Sequence, residues 1–380
     1  MGEHRHRPKA SQPIAELPEE AGYSHRAPWR GAGASTSEPG RGTRATTIKD
    51  VARLAGVGLG TASRVISGKG SVAPATAKRV RKAIEQLDFR PSHAARSLLT
   101  GSSQMIGVFI PILKGTFYTP ILQAVDASLR ACSRHMVVAF GHGTGDERRQ
   151  AIEGAQFLIA RDCDGLVLMS NALIEKDVIE LSRRQRNIVV LNRSFEGFRE
   201  QCFSVDHFRG GVAAAQALLQ HGHREFAVIA GPATSMDNVA RIAGFMQELT
   251  HQGIDARKVL TVHSDFSPEG GWSSARTLLE SQHRFTALFC ANDEMAVGAI
   301  SYLHGAGKSV PAQISVLGYD DTQTAEYSAP RLTSVHIPLR ELATNGVNFL
   351  LNRCYDFSLP VERDFPINVT WRASVGIVLS

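Results

Sequence analysis

The chain has 380 residues, 43% of them hydrophobic, and carries 42 Lys and Arg against 36 Asp and Glu for a formal net charge of +6. That length holds two or three domains with sizeable cores. No apolar run reaches about 18 residues, which excludes a membrane-spanning helix, and a polar, Pro- and Gly-rich N-terminus argues against a secretory signal core.

The charge is unevenly spread. Residues 1–45 sum to +2, residues 46–101 to +7 and residues 102–380 to −3. A basic surplus confined to one short segment of an otherwise acidic chain is the footprint of a polyanionic partner. Cys132, Cys163, Cys202, Cys290 and Cys354 are odd in number and lack CxxC spacing. This pattern favours reduced thiols in a cytoplasm over disulfides or a metal site.

Residues 1–45, with five prolines and few aliphatics, read as a disordered tail. Arg41 and Arg44 at its end are solvated or touch phosphate. A headpiece follows over 46–91. Ile48, Val51, Ala52 and Ala55 recur at helical spacing, and Gly56 is a natural left-handed stop. Ala62, Val65 and Ile66 give a second helix its apolar side, leaving Leu59, Gly60, Thr61, Ser63 and Arg64 outward. Small polar groups and an Arg on such a face suit a major-groove reader. Residues 67–71 form a turn cluster. Pro74 fits the first turn of a third helix, whose apolar stripe is Val80, Ile84 and Leu87 and whose basic residues are Lys78, Arg79, Arg81 and Lys82.

Residues 92–102 read as a short linker helix, capped by Ser92 and stopped by Gly101, too short to be stable alone in water. From 103 to 380 the pattern alternates. Apolar strands are expected at 105–111, 136–140, 165–169, 188–192, 226–231, 259–262, 287–291 and 314–319, with helices between them and a last strand-like run at 375–379. Such βαβ units make parallel sheets, and eight strands over this length suggest two lobes. Ligands of open α/β sheets bind at the carboxyl ends of strands.

The run Thr47-Ile48-Lys49-Asp50-Val51-Ala52, then Thr61-Ala62-Ser63-Arg64-Val65-Ile66, Arg90-Pro91-Ser92 and Ala95-Arg96-Ser97-Leu98 closely resembles the headpiece and hinge of the lactose/galactose repressor family. Arg241-Ile242-Ala243-Gly244-Phe245, Ala291-Asn292-Asp293-Glu294 and Ile314 to Asp321 continue the match. Glu147 to Ile152 and Val190 to Arg193 look most like the galactose-repressor branch. The resemblance implies an α/β fold: an N-terminal three-helix helix-turn-helix headpiece, a hinge helix, and a two-lobed core like periplasmic sugar-binding proteins, with parallel sheets. It implies a cytoplasmic repressor that acts as a homodimer on palindromic double-stranded operator DNA and is released by a small sugar. The alternative within the same fold is a repressor that needs a purine-like co-repressor.

By the same resemblance Leu59, Gly60, Thr61, Ser63 and Arg64 occupy recognition-helix positions, Thr47 and Ser71 contact phosphates, and Ala95 and Leu98 lie in the minor groove. Leu98 either wedges a base step or packs the hinge helix. Gly58 and Gly60 depart from the family pattern, and Gly60 presents no side chain to a base. For the effector, Asn192, Arg193, Asp206, Arg241, Asn292 and Asp320 match polar cleft positions, and Phe117, Tyr118 and Phe266 match aromatic walls. Asp293 and Asp321 read instead as helix-start and turn residues.

Catalysis is not expected. Gly56-Val57-Gly58-Leu59-Gly60 follows no strand, and no Ser/His/Asp set, metal cluster or nucleophile elbow appears. No cofactor is implied. The absence of a C-terminal leucine heptad favours a dimer over a tetramer.

Overall fold

The structure is a computed structural model that describes residues 46–68, 70–89 and 101–378. The expected tail over 1–45 and nearly all of the linker, with Ala95 and Leu98, lie outside the described residues.

Three helices make the headpiece: α1 (Ile48–Ala55), α2 (Leu59–Ser67) and α3 (Pro74–Gln86). The backbone N–H and hydroxyl of Thr47 donate to the Asp50 carboxylate at 3.0 and 2.7 Å, fixing the start of α1 where an acid also suits the helix dipole. Gly56 ends α1 at φ +63°, the left-handed stop its sequence requires. Pro74 opens α3. Val51, Ala55, Val80, Ala83 and Phe89 form the small core, with Ile48, Val65, Ile66, Ile84 and Leu87 packed against it.

The rest folds as two parallel-sheet lobes. The first contains β1 (Met105–Ile110), α4 (Tyr118–Ala131), β2 (His135–Phe140), α5 (Glu147–Ala160), β3 (Gly165–Leu168), α6 (Glu175–Ser182), β4 (Ile188–Leu191) and β5 (Cys202–Phe203), with strand order β2-β1-β3-β4-β5. The second contains α7 (His207–Gln220), β6 (Phe226–Ala230), α8 (Met236–His251), β7 (Leu260–His263), α9 (Pro268–Glu280), β8 (Ala287–Cys290), α10 (Asp293–Gly305), β9 (Ser315–Asp320), α11 (Gln323–Tyr327) and β10 (Thr333–His336). The chain then returns as α12 (Leu339–Tyr355) to pack on α4 and on β3, β4 and β5, and ends with β11 (Asn368–Thr370) on the second sheet. That sheet runs β11-β10-β9-β8-β6-β7, parallel except for β11. Strands β3, β4 and β6 are buried throughout, as expected where helices cover both faces.

The structure adds β5, α11, β10 and β11 to the expected elements. Thr333 and Ser334 lack the apolar signature of a core strand, yet both are fully buried. The Thr333 N–H donates to Ser374 and the Ser334 hydroxyl to Asp293. Over 375–378, the described part of the expected last run, the chain is not a strand but irregular, its backbone held by Gly376 N–H to Ser315 Oγ and Val378 N–H to His221 O.

Helices α7 and α8 meet at backbone contact. A Cβ on Gly211 would sit 1.8 Å from the Arg241 carbonyl oxygen, and one on Gly244 2.0 Å from that of Phe208. Only glycine permits this approach. It sets the height of α8, and with it Arg241, against the first turns of α7.

Candidate functional site

Two surfaces concentrate the chemistry. On the headpiece, Leu59, Gly60 and Arg64 are exposed and Thr61 and Ser63 are half-buried, while Ala62 on the opposite side of α2 is fully buried. Leu59 is 47% exposed, a large apolar group left outside the core. Ser71 and the basic residues Lys78, Arg79, Arg81 and Lys82 are exposed as well. Thr47 is half-buried, and its hydroxyl hydrogen is directed to Asp50.

The second surface is a cavity of about 730 Å³ between the lobes. Phe117, Tyr118, Asn192, Arg193, Arg241, Phe266, Asn292 and Asp320 all line it. Strand ends place them. Asn192 follows β4, Asp320 closes β9 and Asn292 caps α10 after β8, its side chain accepting from Met295 N–H at 3.0 Å. Asn192 (φ +59°), Phe266 (φ +66°) and Asp320 (φ +102°) all adopt left-handed backbone. For Phe266 and Asp320 that conformation is strained, and strain of this kind concentrates where side chains must be aimed.

The floor is a buried polar network. Asn192 Nδ2 donates to Asp237 at 3.0 Å, and the His207 ring bridges Asn192 Oδ1 and the Tyr319 hydroxyl at 3.1 Å each. Arg241 donates to the Ala291 carbonyl, lies 3.9 Å from Asp320 and covers the Tyr319 ring at 3.9 Å. Arg193 donates to Asn171 O at 2.6 Å and sits 3.9 Å from Asp237. Burial pushes the Asp237 carboxyl up to about 6, with Arg241 and Arg193 pulling the other way. Burial also raises Asp320 well above the usual carboxylate range, against the pull of Arg241. His207 is driven well below its ordinary value, first by burial and then by the same two guanidiniums, and is neutral. Arg241 Nε and Asp320 Oδ1 are buried without a hydrogen-bond partner. Buried polar groups are rarely left so.

At the mouth, Thr116 of the first lobe bonds to Glu294 of the second through both its N–H (2.9 Å) and its hydroxyl (2.8 Å), and its hydroxyl also meets Thr324 at 2.8 Å.

One expected residue is misplaced. Asp206 is exposed, caps α7 through Arg209 N–H at 3.0 Å and does not line the cavity. Asp237 takes its place, and it was legible: it stands four residues before Arg241, on the same face of α8. His207, Glu294 and Arg148 belong to the site as well; Glu294 and Arg148 lie in the family-like runs 291–294 and 147–152, whereas nothing in the local sequence of His207 marks it. Asp293 does begin α10, but its fully buried carboxyl ties Thr322 and Ser334 together, and burial pushes it up to about 7. Asp321 is a turn residue at φ +56°, held by His336, Thr370 and Arg372.

Comparison with known proteins matches residues 47–92 to the family model of bacterial regulatory proteins, lacI family, and residues 215–375 to a periplasmic binding protein-like domain. The HTH-type transcriptional regulator GalR of Escherichia coli is 31% identical over 83% of this chain and 91% of its own length. A crystal structure of a LacI-family transcriptional regulator from Burkholderia phymatum is 49% identical, covers 72% of this chain and 99% of its own, and superposes with a TM-score of 0.70. The lac repressor dimer bound to operator and the anti-inducer ONPF is 26% identical over 88% of this chain and all of its own, with a TM-score of 0.75.

Proposed function

The chain belongs to the lacI family of bacterial regulatory proteins, and from that premise we propose that it is a transcriptional repressor released from a palindromic operator by a sugar bound between its lobes. It is a DNA-binding regulator of transcription that works as a dimer. We assign 46–91 to DNA reading, 92–102 to a hinge that orders on DNA, and 103–380 to effector binding and dimerisation.

The observation that carries this reading is the pairing, in one chain, of a basic headpiece with an inter-lobe cavity whose floor offers carboxyl, amide and guanidinium groups and whose walls are aromatic. Carboxyls and amides bond ring hydroxyls, guanidiniums add charge-assisted bonds, and the rings of Phe117, Tyr118 and Phe266 suit the C–H face of a sugar. On α2, Arg64 forks onto a guanine edge, Thr61 and Ser63 bond base or phosphate, and Leu59 packs on a thymine methyl. Thr47 and Ser71 hold phosphates and set register. In the hinge, Leu98 wedges the central base step and Ala95 lies beside it in the minor groove.

Effector binding acts by population shift. It favours one angle between the lobes and thereby one hinge state. No catalytic role is assigned. Burial raises the Cys163, Cys202, Cys290 and Cys354 thiols, which makes them poor nucleophiles. The reading places the protein in the cytoplasm, where its DNA is. A mobility-shift assay on the DNA upstream of its own gene tests it: the expected result is sequence-specific binding that weakens with salt. Binding no stronger than to scrambled DNA contradicts it.

A further inference from the structure

Among the described residues, the cavity carries four cations in its lining, and each already has a carboxyl group within 4 Å. Lys114 lies 3.7 Å from Glu269, Arg148 makes a two-pronged contact with Asp177 at 2.7 and 2.8 Å, and Arg193 and Arg241 lie 3.9 Å from Asp237 and Asp320. The two deep guanidiniums also have donors engaged by the carbonyls of Asn171 and Ala291. Against these four stand six lining acids: Asp146, Glu147, Asp237, Asp265, Glu294 and Asp320.

Helix N-termini would ordinarily invite an anion. Here they carry their own acids: Glu147 in the first turn of α5, Asp237 in that of α8 and Glu294 in that of α10. At the floor, Arg241 Nε and Asp320 Oδ1 are the polar atoms left without partners, in side chains only 4% and 5% exposed. A hydroxyl accepts from one and donates to the other, satisfying both. A phosphate or carboxylate oxygen has no proton to donate and meets a second acid group instead.

Resting on the sugar reading above, we infer that this cavity selects an uncharged sugar and rejects the phosphorylated and uronate forms of the same skeleton. Selectivity comes from the absence, among the described residues, of an uncommitted lining cation, not from cavity size.

The test is calorimetric titration and thermal shift of the full-length chain with glucose, galactose, ribose, cellobiose and lactose, and with the phosphate and uronate forms of the monosaccharides. The expected result is that a neutral sugar raises Tm and binds at least about tenfold more tightly than its anionic forms. A phosphate or uronate that binds as tightly as its parent, or binding by anions alone, overturns the inference. If hypoxanthine raises Tm and no sugar does, the sugar reading itself fails, and the inference with it.

Two variants sharpen the result. Asp177→Asn removes the partner of Arg148, leaving that guanidinium as a free cation on the cavity wall. Uronate affinity then rises several-fold relative to neutral sugar. Glu147→Gln, at an exposed residue, moves the ratio the same way by a smaller factor. An unchanged ratio in both variants, each with the circular dichroism of the parent, contradicts the inference.

Discussion

Gly60 stands on the outer face of α2, and a Cβ built there meets nothing within 4 Å. Replacing it with Ala removes the entropic cost of a helical glycine, up to about 1 kcal/mol. Slower hydrogen exchange of α2 amides is expected, with operator affinity retained within a few-fold. Complete loss of binding would show that bare backbone is needed for close approach to DNA. Asp293 makes a different prediction. Its folded carboxyl, near 7, lies above its unfolded value near 3.8. Its stability contribution is therefore full below that unfolded value and is lost as pH rises toward 7, at about 1.4 kcal/mol per unit of difference. Denaturant titrations from pH 4 to 7 should show a steeper decline in the parent than in Asp293→Asn. Parallel curves would contradict the assignment. Residue-level legibility followed local pattern. Arg241, Asn292 and Asp320 were readable from motif resemblance, whereas Asp206 and Asp237 are both acids near helix starts, and only the four-residue spacing from Arg241 marks Asp237 as the cavity residue.

Among the elements, the α7–α8 pair and the mouth latch shape the cavity. In Gly211→Ala the new methyl overlaps the Arg241 carbonyl, so the helices must part. A loss of about 2 kcal/mol or more is expected in urea denaturation, together with weaker effector binding because Arg241 moves. Stability within error of the parent would mean that the helices are not in backbone contact. Thr116→Val deletes the hydroxyl that joins Glu294 and Thr324 while keeping the backbone bond. The two lost hydrogen bonds are worth about 1 kcal/mol each, so sugar affinity falls by up to about thirtyfold by calorimetry if closure accompanies binding. Unchanged affinity would show that the latch does not report on closure. The longer helices and continuous apolar strands were legible because period and burial agree. Strand β10 was hidden because its Thr and Ser are buried by hydrogen bonds rather than by apolarity, and β5 because two residues carry no period.

Across the whole molecule, the charge split between headpiece and core anticipated the division of labour, and the collinear motifs anticipated both halves. The inter-lobe latch was not legible, since Thr116 and Glu294 are 178 positions apart and only the fold brings them together. The coupling between cavity and DNA is the claim on which the rest depends. A sugar must bind the operator-free state more tightly than the operator-bound one, by the same factor as it weakens DNA binding. Fluorescence anisotropy of the full-length protein on its upstream palindrome, with and without saturating concentrations of a sugar shown to raise its Tm, measures that factor directly. The account predicts specific binding that weakens roughly fivefold or more when the sugar is present. Equal affinity in both conditions, or tighter binding with ligand, would contradict it.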